Sequence, residues 1–221
     1  MAESVYRILD QPWVYNLVQR IVGAGADRLE GSVYRRLFAD SRGLVLDVGC
    51  GPRPRTPAPR GIVVGLDAAP EYVRAYSGAA DAESGATPRR LGAVGFAERL
   101  PFADGVFDEV RCRAILHHMS PDAVRQALAE MLRVVKPSGR VVVMDGVWPI
   151  RRWQYPIGWL MLRLDRGDFV RSADELAALA DDVAPGGWRR FRYTAAYLGQ
   201  QAVVLLHEPP RPAAASSRDP L

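Results

Sequence analysis

The chain has 221 residues, 29 basic against 25 acidic side chains, a formal net charge of +4 and 48% apolar residues. That is enough for one domain with a sizeable core, and no apolar run reaches the ~20 residues a membrane span takes. The amino terminus lacks a signal-peptide pattern, so a cytoplasmic location is expected. All the basic residues except Lys136 are arginines, dispersed among acids, which describes a solvated surface and argues against nucleic acid as a partner. Cys50 and Cys112 form neither a disulfide framework nor a metal-ligand spacing, so both are expected as small buried thiols and no metal is expected.

Residues 1–43 read as helical. Val14, Leu17, Val18, Ile21 and Val22 recur at helical spacing until Gly23 and Gly25 stop them, and residues 29–37 repeat the pattern. The chain is organised around residues 44–52, Leu-Val-Leu-Asp-Val-Gly-Cys-Gly-Pro, where an apolar run of strand length ends in Asp47 and two glycines, Gly49 and Gly51. A second apolar run, residues 62–66, ends in Asp67. A glycine turn after one strand and an acid closing the next is how an open α/β sheet holds an adenine nucleoside, the acid accepting from the ribose hydroxyls. Pro54 stands where the dinucleotide fingerprint has its third glycine. A nucleoside cofactor is therefore indicated over NAD, which leaves a nicotinamide oxidoreductase as the weaker alternative.

Four prolines, Pro52, Pro54, Pro57 and Pro59, forbid the ordinary helix between the first two strands and predict an extended crossover. Pro70 opens a helix that ends at Gly78, and residues 78–88 form a small-residue loop. Residues 91–96 and 106–113 make strands three and four. Ser120 and Pro121 start a helix with Val124, Leu128, Met131, Leu132 and Val135 on its buried stripe, ended by Pro137. Residues 141–144 form a buried fifth strand closed by Asp145. Residues 148–164 are rich in aromatics and Arg, Ser172 and Glu175 form a capping box, residues 188–193 and 202–206 pair as a final antiparallel hairpin, and residues 209–221 read as a disordered tail.

Five motifs follow one another in order: Asp47-Val-Gly-Cys-Gly-Pro52, Val64-Gly-Leu-Asp67, Ala97-Glu-Arg-Leu-Pro-Phe102, Phe107-Asp108 through Leu116-His117-His118, and Arg133-Val-Val-Lys-Pro-Ser-Gly139. Together they resemble the class I S-adenosylmethionine-dependent methyltransferases, in particular the ubiquinone/menaquinone-methyltransferase-like group, over residues 44–145. The resemblance implies a seven-stranded Rossmann-like α/β sheet, mostly parallel with an antiparallel last strand, helices on both faces and an N-terminal helical cap over residues 1–43. The methyltransferase domain is then residues 44–208. Its ligand belongs at the carboxyl ends of strands one and four. The implied cofactor is S-adenosylmethionine, held by Gly49, Cys50, Gly51, Asp67 and Ala68, and by Asp47 either directly or by orienting the glycine loop through its backbone N–H groups. In this family an acid in a Gly-Asp-Ala-Glu pattern takes the adenine amino group. Here the residues are Gly95-Phe96-Ala97-Glu98, so adenine is held by Ala97 backbone and packing or bonded by Glu98.

Arg111 and Arg113 fall on a central strand where unpaired guanidinium groups are costly. Arg113 pairs either with the cofactor carboxylate or an anionic substrate, or with Asp108 or Glu109; Arg111 reads as structural. His117 and His118 stand at the mouth of the site as general-base candidates, His118 slightly preferred, with lining of the cofactor pocket as the plainer alternative. The resemblance places a substrate cap over residues 149–171, with Arg152 and Trp153, and brings Tyr6 and Trp13 of the N-terminal cap near the acceptor. Aromatics beside arginines suit an anionic or lipid-linked small molecule, or peripheral contact with a membrane surface; an ordinary packed cap explains them equally well. The expected function is methylation of a small molecule at oxygen by a monomer or homodimer. A SAM-binding protein that does not methylate is the alternative. Arg113-Ala-Ile-Leu116 replaces the Asn/Asp-Pro-Pro-aromatic motif of many nucleic-acid amino-methylating enzymes, and Asp145 lacks partner acids for a metal-assisted reaction.

Overall fold

Residues 26–57, 59–79, 89–151, 153–164, 168–195 and 200–209 are described by a computed structural model of the chain. The strands are β1 (Arg42–Val48), β2 (Arg60–Asp67), β3 (Arg89–Val94), β4 (Phe107–Arg113), β5 (Val135–Val147), β6 (Trp188–Thr194) and β7 (Gln201–His207). They form one sheet in the order β3-β2-β1-β4-β5-β7-β6. β1 to β5 pair in parallel, and β7 runs antiparallel between β5 and β6. The strand order reverses between β1 and β4, which opens the carboxyl-end crevice where open α/β sheets bind ligands.

The helices are α1 (Ala26–Phe38), α2 (Pro70–Ser77), α3 (Pro121–Val134), α4 (Pro156–Leu164) and α5 (Ala173–Val183). Ser120 caps α3 by accepting from the N–H of Ala123. Ser172 and Glu175 close both bonds of the capping box on α5. One difference from the sequence reading concerns Val135, which opens β5 instead of closing α3. Pro137 forces the residue before it into extended backbone, so the helix stops short, and the β4–β5 ladder is irregular until Glu109 meets Arg140.

Alternation along the strands divides the core. Leu46, Val48, Val110, Cys112, Val141 and Val143 face α3 and α5. On the opposite face Val142, Met144, Val204 and Leu206 pack under Val33, Tyr34, Leu37 and Phe38 of α1, and Val45 and Val63 pack under Tyr76 of α2. Between α1 and α2 the prolines leave irregular chain and no helix, as expected, and there β4 presents charge: Glu109, Arg111 and Arg113 on alternate positions.

Arg111 is 1% exposed. Its Nε donates to Glu109, its Nη1 to Thr56 Oγ1 (2.9 Å) and the Pro57 carbonyl (2.6 Å), and its Nη2 to Ser41 Oγ (2.6 Å). Its guanidinium carbon lies 4.0 Å from the centre of the Phe38 ring. The guanidinium thus ties the proline crossover and α1 to the sheet. Burial disfavours charge on Glu109, but Arg111 and Arg140 outweigh it and hold the carboxyl below its ordinary value of 4.5.

Arg111→Met is expected to lower stability by about 3–5 kcal/mol in urea unfolding, because a buried carboxylate loses its principal partner. Adding Glu109→Leu should recover much of that loss. A cost under about 1 kcal/mol for the single variant would sink this account. A depressed folded pKa means that Glu109 stabilises fully above about 4.5 and that the contribution disappears as pH falls through the folded value. The acid limb of stability should accordingly be shallower in Arg111→Met.

Candidate active site

The carboxyl ends of β1 and β2 meet through backbone bonds. The N–H groups of Gly49 and Cys50 both donate to the Leu66 carbonyl, at 2.8 and 3.1 Å. The N–H of Gly51 donates to Asp67 Oδ2 and that of Ala69 to Asp67 Oδ1, each at 3.0 Å. Gly49 and Gly51 have φ of +68° and +60°, a region that side chains resist. Their surroundings differ. A Cβ on Gly49 would lie 2.4 Å from Ile115 Cγ2, whereas one on Gly51 would meet open space. The loop is therefore pressed against the β4 turn at one glycine and open at the other. Asp67 is partly exposed, and each carboxylate oxygen keeps acceptor capacity beyond its backbone bond, which suits the two donating hydroxyls of a ribose diol. Ala68, beside it, is exposed.

Asp47 does not steady the glycine loop. It is 5% exposed and accepts from the Tyr76 hydroxyl at 2.9 Å. Burial holds its carboxyl above the usual range against the opposing charge of Arg111. The Cys50 side chain is also turned inward, where Gly65 makes room for it: a Cβ there would lie 2.9 Å from Sγ and 2.5 Å from the Tyr76 ring. Burial, with Asp47 and Asp67 adding to it, pushes the Cys50 thiol up to about 12. Of Asp47 and Cys50, only backbone remains to face a ligand.

Past β3, Ala97 is buried, Glu98 is half-buried and Phe96 is 66% exposed. An open aromatic ring thus stands where the resemblance has the adenine-binding acid. Arg113 is not turned to a ligand and pairs with neither Asp108 nor Glu109. Its Nη2 bonds Glu30 Oε2 at 2.5 Å and its Nε donates to the Tyr34 hydroxyl oxygen, both on α1. Asp108 takes Lys136 and the Leu44 N–H, while Glu109 takes Arg111 and Arg140. Burial opposes the charge on Arg113, and Tyr34 and Glu30 more than restore it.

The chain leaves β4 through Ala114, whose φ of +53° is left-handed and costs roughly 1–2 kcal/mol in a residue with a Cβ. The turn Leu116–His118 follows. His117 is 8% exposed. Asp145 of β5 accepts its N–H at 3.0 Å through Oδ2 and lies 2.5 Å from its Nδ1 through Oδ1. A carboxylate at Nδ1 keeps the hydrogen there and leaves the lone pair on Nε2. His118 is exposed, its ring centre 4.1 Å from that of His117. The turn is clamped from outside. Arg171 donates to the Leu116 and Met119 carbonyls at 2.9 and 2.6 Å, and the Phe169 N–H to the His117 carbonyl at 3.0 Å.

Sequence reasoning missed the parts of Asp145, Arg171 and Ala114 in this turn. Asp145 carried the same signal as Asp67, an acid closing an apolar strand. Trp153 is 73% exposed. Tyr6, Trp13 and Arg152, the helical pattern of residues 14–22, most of the 78–88 loop and nearly all of the tail lie outside the described residues.

Residues 46–143 match the methyltransferase domain family. An uncharacterised methyltransferase of Synechocystis sp. is 34% identical over 180 residues, 73% of this chain and 82% of that protein. The demethylmenaquinone methyltransferase of Mycolicibacterium paratuberculosis is 33% identical over 145 residues, 58% of this chain and 62% of that one. Among solved structures, YcgJ of Bacillus subtilis superposes with a TM-score of 0.58 at 20% identity, covering 83% of this chain and 100% of that chain. A SAM-dependent methyltransferase of Methanosarcina mazei gives 0.56 at 18% identity, covering 78% and 95%. The chain belongs to the SAM-dependent methyltransferases, and S-adenosylmethionine is its cofactor.

Asp67→Asn is predicted to weaken S-adenosylmethionine binding about 30-fold, the ~2 kcal/mol of a charge-assisted hydrogen bond, with thermal unfolding little changed. Calorimetry that returned the wild-type dissociation constant would remove Asp67 from the ribose.

Proposed function

We propose that the chain methylates an oxygen of a small-molecule acceptor, with His117 as the base that takes the hydroxyl proton. The observation that carries this reading is the buried His117–Asp145 pair, in the turn whose Ile115 abuts Gly49 of the glycine loop. A hydroxyl must lose its proton as it is methylated, and an imidazole with its lone pair on Nε2 can accept it near pH 7. Asp145 orients the ring and stabilises its charged form once the proton arrives. His118, exposed and without such a carboxylate, is demoted to lining the mouth. Among the described residues, Arg171 and Cys112 feel the field of Asp145, and His118 touches the His117 ring.

Bound S-adenosylmethionine supplies a methyl group on a positively charged sulfur, which is already a good leaving group. The rest of the work is alignment, which can contribute about 7–11 kcal/mol, more than a base contributes. In this reading Asp67, Ala68 and the backbone of Gly49, Cys50 and Gly51 hold the nucleoside. Phe96, Ala97 and Glu98 border the adenine, through ring contact and Glu98 in place of the missing acid. Asp47 and Arg113 act on the site through α2 and α1. Tyr6, Trp13, Arg152 and Trp153 are assigned to the acceptor, an anionic or lipid-linked small molecule, and the protein to the cytoplasm.

The test is to incubate the protein with methyl-labelled S-adenosylmethionine and aqueous and lipid extracts of its host. The expected product carries label as an O-methyl group; labelled carbon, or no labelled product, would refute the reading. With that product in hand, His117→Asn, which keeps a donor toward Asp145, should reduce turnover about 10²- to 10⁴-fold. S-adenosylmethionine affinity should hold in this variant. The wild-type rate should rise with pH along an acid limb, and that limb should vanish in the variant. If His118→Ala produces the large loss and His117→Asn does not, the base has been misassigned.

A further inference from the structure

The helices α3, α4 and α5 treat their outer faces differently. α3 exposes Asp122 and Gln126, and α5 exposes Asp174, Glu175, Asp181 and Asp182. α4 buries Gly158 and Leu162 on one side and exposes Ile157 (48%) and Leu160 (45%) on the other. The chain leading into it exposes Ile150 (79%) and Trp153 (73%). Residues 148–164 hold three arginines and no acid in a chain otherwise of mixed charge. Exposed Arg151 sits 5.8 Å from the Trp153 ring, an aliphatic stem and cationic head beside an amphipathic aromatic.

We propose that Ile150, Trp153, Ile157 and Leu160, with Arg151, form a docking surface for an anionic lipid bilayer. Apolar and aromatic side chains beside Arg151, on a stretch that carries arginines and no acid from residue 148 to 164, match an interface whose outer layer is negative and whose next layer is hydrocarbon. No helix among the described residues is long and apolar enough to cross a membrane, so the contact is peripheral. Its position has a consequence for the substrate. The Trp148 N–H donates to the Arg171 carbonyl at 2.9 Å, and the Phe169 N–H to His117, so both ends of the segment are fastened at the mouth of the site. A bilayer seated on α4 lies beside that mouth, and the acceptor it delivers is an amphiphile resident in the membrane. This last step rests on the methyltransferase reading; docking does not.

The experiment is cosedimentation of the whole chain with vesicles of phosphatidylcholine alone and of phosphatidylcholine with phosphatidylglycerol. Binding is expected only to the anionic vesicles and should weaken as salt is added. Arg151→Gln should bind about five-fold less tightly, the ~1 kcal/mol a cation contributes near such a surface. Ile157→Ser with Leu160→Ser should bind at least about ten-fold less tightly, with S-adenosylmethionine affinity unchanged in both variants. Failure to bind anionic vesicles overturns the proposal, as does equal binding by wild type and variants. If the double variant breaks a dimer on gel filtration, the face belongs to a second copy. If it lowers the melting temperature by more than a few degrees, the face belongs to this chain's own packing. Either result also overturns the proposal, and none of them bears on whether methyl transfer occurs.

Discussion

The charged face of β4 is the constraint that organises this molecule. A central strand in a parallel sheet is ordinarily apolar on both sides, yet alternate residues here are Glu109, Arg111 and Arg113. The segment after the glycine loop cannot supply a covering helix, because its prolines lack donors and fix their dihedrals. The two anomalies answer each other. Irregular backbone has carbonyls and hydroxyls to offer where a helix would have offered methyl groups, and Arg111 consumes them at Thr56 and Pro57. Arg113 does the same for α1 through Glu30 and Tyr34. Since a buried ion pair is close to neutral in stability beside a well-packed apolar substitute, its value here is position. A guanidinium with directed donors sets where α1 and the crossover lie against the sheet.

That logic explains what could be read from sequence. The glycine turn after β1, the acid that closes β2 and the capping box were legible because each depends on residues adjacent in the chain or on spacing that a single element imposes, while the seven-stranded sheet was implied by the family resemblance. The partner of Arg113 was not, since Glu30 lies 83 positions away and no periodicity links a helix turn to a strand residue. Asp47 misled for the same reason. An acid before the glycines looks like their keeper, but Tyr76, on the helix beyond β2, reaches it first. Asp145, which lies at Nδ1 of His117, stands on β5 beside β4, and nothing in the adjacent pair of histidines marks that contact. Pair geometry across elements was absent from the pattern, while the elements themselves were present in it.

The mouth of the site shows a third device. Ala114 takes a left-handed conformation, and the strain is held by bonds on both sides: its N–H on the Met144 carbonyl, and Asp145, Arg171 and Phe169 on the turn that follows. Strained backbone persists only where its surroundings over-determine it. Here those surroundings come from two sources, the β5 strand inside and the 148–171 segment outside. The orientation of His117 therefore depends on the cap as well as on the sheet. A segment that contributes backbone and guanidinium donors to this turn cannot be remodelled without disturbing the His117–Asp145 pair. Among the described residues the outer face of α4, where Ile157 and Leu160 are exposed, makes no hydrogen bond to that turn, so selection can change it at little cost to the His117–Asp145 geometry.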